Sequence, residues 1–390
     1  MRKKTSASDA RPHRRVAIPE PIRQVLWARA AGRCQYSGCN DSLIGDLISG
    51  SEDKRFGFIA HIVADSPEGP RGDAVRSPLL AKEISNLMLL CDTHHRVIDV
   101  HAVEEHPEAR LQEMKAEHER RVELVTAIGQ DRATHVLRYA ANIGAHESPV
   151  TIDSVLAAVL PRRYPAEARA IDLELLGSAY QDREPEFWKI QRENLRRQFE
   201  KKIRPRVEAR EIAHLSVFAL APQPLLMELG RLLGDILPTD VHQLKREPSG
   251  WGWEAEEPVL TFKVRKPASK GRDVALVLAL SATITDDRIT RVLGEDVAIW
   301  SLSVEQPHND LMKRSGDLAE FRTQLRKLLN EIKATHGEQA ILHVFPALPV
   351  SAAVEVGRVW MPKADLPLTV YDQGREANGF AFALRIGGRE

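Results

Sequence analysis

All three cysteines of the chain stand in one stretch, as Cys34-Gln-Tyr-Ser-Gly-Cys39 and, some fifty residues on, Cys91-Asp-Thr-His94. Two short ligand pairs flanking a longer insertion are the pattern of a structural zinc site, because a tetrahedral ion takes four donors that two turns can present in pairs. A Cys3His set of Cys34, Cys39, Cys91 and His94 is therefore expected, and it requires residues 40–90 to fold back on themselves. A single free cysteine is commonly a small buried hydrophobe; three in this order, with a histidine three residues beyond the last, are better explained by metal. An odd number of thiols, all wanted for an ion, also fits a reducing compartment without disulfides.

Between the pairs lies Phe58-Ile59-Ala60-His61-Ile62-Val63, an apolar strand-like run with one imidazole, and Asn86-Leu87-Met88-Leu89-Leu90 leads into the second pair. His95 follows a zinc ligand at the start of a predicted helix. The order His61, Asn86, His95, with the strings Ala60-His61-Ile62 and His94-His95-Arg96-Val97-Ile98-Asp99, resembles the HNH endonuclease family over roughly residues 20–125. Phosphodiester hydrolysis needs an activated water and a cation on the scissile phosphate, and a neutral imidazole accepts a proton near pH 7. The resemblance implies an α+β, zinc-bound ββα-metal module with His61 as general base and Asn86 holding its imidazole. His95 would ligate a catalytic Mg²⁺ or Mn²⁺ distinct from the structural zinc. Many members carry an acidic metal ligand immediately before the first His, where this chain has Ala60. Asp65 or Asp99 would then reach the ion, or His95 and water hold it with the DNA phosphate. Asp99, four residues after His95, shares its helix face, although pairing with a nearby arginine is the blander expectation. A zinc-dependent binding module that has lost activity, with Ala60 as the mark of the loss, is the non-enzymatic alternative.

At 390 residues the chain suggests two or three domains. Its 55 Lys+Arg balance 55 Asp+Glu, so affinity for nucleic acid must come from local patches. Residues 1–15 hold six basic residues against Asp9 and read as a flexible arm able to touch phosphates; residues 192–210 hold eight against three Glu and read first as a solvated helix face. No apolar run is long enough to span a bilayer and no secretory apolar core precedes the first helix, so a cytoplasmic protein with no membrane partner is expected.

Helices are predicted over Pro19–Ala31 and from Pro107 to about Ile128, the second closing an N-terminal module of residues 1–128. Residues 144–150 read as a connector, and 129–209 as a helical segment belonging to the C-terminal sensor domain, broken at Pro161, Pro165, Pro185 and Pro205. From about 210 to 390 the chain becomes rich in strand patterns, and sliding it against itself by 127 residues reveals a repeat. Val217-Phe218 and Pro222 match Val344-Phe345 and Pro349, and without a gap Glu228, Gly230 and Arg231 fall on Glu355, Gly357 and Arg358. Each copy reads as strand, Pro-bearing turn, helix, strand, the opening of a doubly wound α/β unit. Further strands are expected at Pro258–Val264, Val274–Leu280, Val297–Val304 and Phe380–Ile386.

This half resembles the SAVED domain, an α/β fusion of two CARF-like (Rossmann-like) repeats that senses cyclic oligonucleotides in the CBASS anti-phage systems of bacteria. The doubled Val-Phe-x3-Pro turn with its Gly-Arg helix, and Ser281-Ala282-Thr283-Ile284 after an apolar strand, carry the resemblance. Ligands of such sheets bind beyond the carboxyl ends of the strands, so residues 218–224 and 345–351 should share one cleft. Phosphates want N–H groups, hydroxyls or Arg/Lys, and bases want flat apolar faces. Gln223, Trp251, Trp253, Ser281, Thr283, Ser351 and Tyr371 are the candidate ligand contacts. The whole chain looks like an HNH-SAVED effector: a DNA endonuclease acting on double-stranded DNA, activated by a cyclic di- or trinucleotide that forms or rearranges a homo-oligomer. The alternative is a restriction-type enzyme whose C-terminal half reads modified DNA.

Overall fold

The computed structural model describes residues 16–46, 51–143, 150–173, 180–182, 184–235, 237–254, 260–374 and 379–387. The basic arm at 1–15 and most of the connector at 144–150 lie outside them. The chain forms two compact units, residues 1–128 and 129–390. Among the described residues no helix is long and apolar enough to cross a membrane.

The first unit opens with helix α1 (Glu20–Arg29), which has Pro in its first turn and buries Leu26. A small hairpin follows, β1 (Ile44–Asp46) with β2 (Ser51–Arg55), then β3 (Phe58–His61), α2 (Arg76–Leu80), β4 (Leu87–Leu90), α3 (Asp92–Arg96) and the long α4 (Glu108–Thr126). Strands β3 and β4 pair antiparallel with His61 opposite Leu87 and Phe58 opposite Leu90. All four residues of β4 are buried, together with Leu26, Ile62, Ile98 and Leu111. The knuckle at Cys34 is pinned to β4 through Gln35, whose main-chain N–H donates to the Leu89 carbonyl at 2.9 Å and whose Oε1 accepts from the Leu89 N–H at 2.8 Å.

The second unit contains β5 (Ala133–Ala140), α5 (Ile152–Val159), the short β6 (Tyr164–Pro165) and β7 (Ile171–Asp172), α6 (Pro185–Lys202), α7 (Arg204–Glu208), β8 (Leu215–Leu220), α8 (Gln223–Leu233) and β9 (Thr239–Val241). After a small hairpin, β10 (Lys245–Arg246) and β11 (Ser249–Gly250), come β12 (Lys263–Arg265), β13 (Asp273–Ala279), α9 (Asp286–Leu293), β14 (Val297–Ser303), α10 (Ser315–His336), β15 (Leu342–Ala347), α11 (Val350–Val359), β16 (Leu368–Gly374) and β17 (Gly379–Ile386). One sheet runs β6-β5-β8-β9 with β7 also on β5, and the other runs β12-β14-β13-β15-β16-β17. The pairs β5·β8, β8·β9, β13·β14, β13·β15 and β15·β16 are all parallel.

The two sheets thus share one wiring, with β5, β8 and β9 standing where β13, β15 and β16 stand in the second. The duplication therefore begins at β5, not near residue 210, and residues 129–209 supply the opening strand and helix α6 of the first copy rather than a helical connector. The strand was missed because β5 is buried on both faces, and a parallel strand of that kind shows no alternation of apolar and polar residues. The expected strand at 258–264 shortens to β12, and residues 255–259 lie outside the described residues.

The copies meet through α8 and α11, both almost wholly buried. A Cβ added at Gly230 would lie 1.9 Å from the Val354 carbonyl oxygen, and one added at Gly357 would lie 1.9 Å from that of Met227. The helices cross at equivalent glycines, with main chain against main chain. On either side sits an equivalent buried ion pair, Glu228 with Arg231 at 2.7 Å and Glu355 with Arg358 at 2.7 Å. Arg192 and Arg196 of α6 also lie 3.5 and 3.6 Å from Glu228, so part of the basic run at 192–210 serves the interior. Gly357→Ala should destabilise the second unit by roughly 2–3 kcal/mol, since overpacking outweighs the helix propensity gained. The control is Gly316→Ala in α10, where an added Cβ meets nothing within 4 Å. Urea unfolding followed by tryptophan fluorescence checks both; equal midpoints would refute the packing argument.

Candidate functional sites

In the first unit the donor atoms of Cys34, Cys39, Cys91 and His94 all lie within 4.8 Å of one another. An ion about 2.3 Å from each sulfur and about 2.0 Å from the imidazole nitrogen fits such a group. His94 offers Nδ1, 3.1 Å from Cys91 Sγ and 3.8 Å from Cys34 Sγ. Its ring stacks on Tyr36 with centroids 4.0 Å apart, and the Tyr36 hydroxyl meets His106 Nε2 at 2.9 Å. Since His106 Nδ1 lies 2.7 Å from the Ala102 carbonyl, which can only accept, Nδ1 carries the proton and Nε2 accepts from the tyrosine. Burial pushes the Cys39 thiol up to about 12 and raises Cys34 as well. A dication supplies the charge that buried thiolates need.

Immediately beyond His94, a cavity of about 810 Å³ is lined by His61, Asp65, His95, Asp99 and the apolar Trp27, Phe58 and Ile59, among others. The His61 Nε2 lies 3.0 Å from the Ala81 carbonyl. A carbonyl only accepts, so Nε2 carries a proton, and in the neutral ring the lone pair that a general base requires is on Nδ1. Asn86 makes no hydrogen bond to this imidazole, contrary to expectation. Its Oδ1 accepts from the Val63 N–H at 2.8 Å, and its Nδ2 donates to the Val63 carbonyl at 2.8 Å and to that of Leu80 at 3.2 Å. It reaches His61 only at one remove, by holding both the loop after β3 and the carbonyl next to Ala81.

His95 stacks on Phe58 at 5.1 Å, and its Nε2 lies 3.3 Å from Asp99 Oδ2, one helical turn on. The arginine partner foreseen for Asp99 is Arg71, at 2.7 Å, which also donates to the carbonyls of Ile62 and Ile98. Burial works to raise the Asp99 carboxyl, but the hydrogen bonds from His95 and Arg71 outweigh it and hold it below the ordinary carboxylate range. Asp65 accepts from the Val16 N–H at 3.0 Å on the cavity wall. Ala81 and Arg71 are the members sequence reasoning missed. A main-chain carbonyl has no side-chain signature, and Gly69-Pro70-Arg71-Gly72 announces a turn without announcing its role.

In the second unit a cleft of about 310 Å³ is lined by Pro222 and Gln223 after β8, Leu348 to Val350 after β15, and Ser281, Gln243, Arg246, Asn309 and Asp372. The turns of the two copies come together as the repeat required. Gln223 Oε1 accepts from the Leu348 N–H at 3.0 Å, which ties one copy's turn to the other. Ser281 lies on the wall, and its N–H donates to the Ala347 carbonyl at 2.7 Å. Ser351 is fully buried, with its hydroxyl donating to Gln243 Oε1 at 2.7 Å, so it seals the cleft instead of facing it. Trp251 is buried edge-on against Phe218, and Tyr371 stacks on Phe345 with its hydroxyl 2.9 Å from His343 Nδ1. Both are core residues, because a large aromatic beside a sheet gains more from burial than from display. Thr283 is exposed and is not among the residues that line the cleft, while Trp253 lines a neighbouring hollow. Gln243, Arg246, Asn309 and Asp372 were not foreseen. Burial, aided by the charge of Asp182, pushes the Asp372 carboxyl up to about 7, so near neutrality much of it is an uncharged donor facing the cleft.

None of the curated proteins matches the chain. Among solved structures it is similar to the Cap4 SAVED/CARF-domain containing receptor of Acinetobacter baumannii with the cyclic trinucleotide 2′3′3′-cAAA, at 9% identity and a TM-score of 0.41, over 72% of this chain and 60% of that one. The Moraxella osloensis Cap4 receptor gives 9% identity and a TM-score of 0.37, over 73% and 63%. The chain thus spans about 60% of the length of the receptors it resembles. Residues 195–386 match the family model described as the SMODS-associated and fused to various effectors sensor domain, and this part of the chain is a SAVED domain.

Proposed function

We infer that the chain is a DNA endonuclease of the HNH type, switched on by a cyclic oligonucleotide. The observation that carries this reading is a conjunction in one chain: a SAVED domain at 195–386, and a cavity where His61, His95 and Asp99 meet beside a four-donor cluster. Cys34, Cys39, Cys91 and His94 hold a structural zinc, which keeps α3 and the end of β4 in place. His61 Nδ1 takes the proton of the attacking water, while the Ala81 carbonyl keeps the ring in the required tautomer. His95 and Asp99, 3.3 Å apart, would hold Mg²⁺ or Mn²⁺, which when bound would stabilise charge on the scissile phosphate and the leaving oxygen. Asp99 stands in for the acidic ligand absent at Ala60.

In the sensor unit a cyclic di- or trinucleotide engages Ser281, Arg246 and the turn of each copy. A ligand touching both copies drives a switch only through different affinity for two arrangements, and a changed homo-oligomer is the arrangement that brings nuclease modules together on duplex DNA. The test incubates the full chain with plasmid, Mg²⁺ and a panel of cyclic di- and trinucleotides, with light scattering for mass. Cleavage and a mass change with one member, both lost in Ser281→Tyr at unchanged zinc content, is the expected result. Cutting that no member alters, with no change in mass, would instead favour an enzyme that reads DNA directly.

A further inference from the structure

Helix α6 and the edge strand β17 enclose a groove of about 670 Å³ in the second unit, which shares no lining residue with the cleft. From α6 come Lys189, Arg192, Arg196 and Arg197, and from β17 come Phe382 and Arg385. The basic residues of α6 recur at positions i, i+3, i+7 and i+8, so they share one helix face and form a row about 12 Å long at 1.5 Å per residue. Among the described residues, Glu193 is the one acid on the wall.

These cations are not equally available. Arg192 and Arg196 lie 3.5 and 3.6 Å from the fully buried Glu228, which Arg231 also holds, so they are anchored inward and lend their charge to the floor. Arg197 is bound to Glu193 at 2.6 Å, but both side chains are well exposed, and such a surface pair exchanges readily for another anion. Lys189 and Arg385 are exposed and form no ion pair among the described residues. Beside them, Phe382 is 55% exposed, the most exposed large apolar side chain among the described residues of this unit, although Ala383 and Leu384 next to it are buried.

We propose that the groove between α6 and β17 binds single-stranded nucleic acid. Phosphates follow the cations of α6 and Arg385, and an unpaired base lies on the Phe382 ring. A duplex keeps its base faces stacked inside and finds no use for the ring. A bilayer surface is flat and does not enter a concave groove, and an acidic peptide answers the charge alone. The site therefore gives the sensor unit a contact with a nucleic-acid strand that is independent of the cyclic nucleotide cleft and of whether the first unit cuts DNA.

The test is fluorescence anisotropy of a labelled short oligothymidine, titrated with the zinc-loaded full chain without Mg²⁺ over a series of salt concentrations. Phe382→Ala should weaken binding about tenfold, within the range for loss of one stacked base, and Phe382→Trp should retain it. Lys189→Glu combined with Arg385→Glu should weaken it tenfold or more at unchanged melting temperature. The same double variant should flatten the slope of log affinity against log salt by about 1.4, since each phosphate contact on a single strand contributes about 0.7. Affinity and slope unmoved in these variants would overturn the proposal. So would a duplex of equal length that loses as much affinity as the single strand on Phe382→Ala, displacement of oligothymidine by polyglutamate at equal charge, or capture on phosphatidylserine vesicles that oligothymidine does not reverse.

Discussion

Cys91→Ser should strip the first unit of zinc and unfold it while the SAVED unit stays intact. Sulfur at position 91 lies in the four-donor group and 3.1 Å from His94 Nδ1, so a hydroxyl there leaves three donors and an opened shell. A structural zinc contributes on the order of 10 kcal/mol of metal-dependent folding free energy in small modules, comparable with the roughly 5–15 kcal/mol net stability of a whole domain. Elemental analysis of the full chain should give one zinc per wild-type chain and none in the variant. Limited proteolysis should then cut within residues 16–128 and spare 129–390. A wild-type protein that is folded and free of zinc would defeat the assignment.

His61→Ala is expected to lower plasmid cleavage by about 10²- to 10⁴-fold, the span of general-base catalysis, without changing zinc content or thermal stability. The imidazole is half-buried at the end of β3 on the cavity wall and hydrogen-bonds to the Ala81 carbonyl, so its loss leaves the β3·β4 pairing standing. Asn86→Ala should behave differently. It removes three hydrogen bonds that hold main chain, and a fall in melting temperature should accompany its loss of activity. Undiminished cutting by His61→Ala, at matched metal and activator, would remove the residue from its role.

What the sequence disclosed and what it hid divide along physical lines. The donor set at 34, 39, 91 and 94 was legible because ligand spacing is local chemistry, and α1 and α4 were legible from proline and apolar period. The coming together of the turns at 222–223 and 348–350 followed from an internal match that needed no coordinates. Strand β5 was hidden by being buried on both faces. Trp251 and Tyr371 misled because an aromatic in a loop or at a strand end looks available for stacking, while tertiary packing alone decides whether it fills a core. The tautomer of His61 was beyond reach because its partner is main chain.

The contact between α8 and α11 has an evolutionary side. Where two main chains touch, a replacement in one copy cannot be absorbed by repacking a neighbouring side chain, so Gly230 and Gly357 are tied to each other as well as to their own helices. After a gene segment doubles, most positions in the two halves are free to drift apart. This one, with the ion pairs at 228/231 and 355/358 beside it, is not. The ungapped Glu, Gly, Arg match thus falls at the place where the two halves press against each other, which is where a change in one half is least easily accommodated by the other.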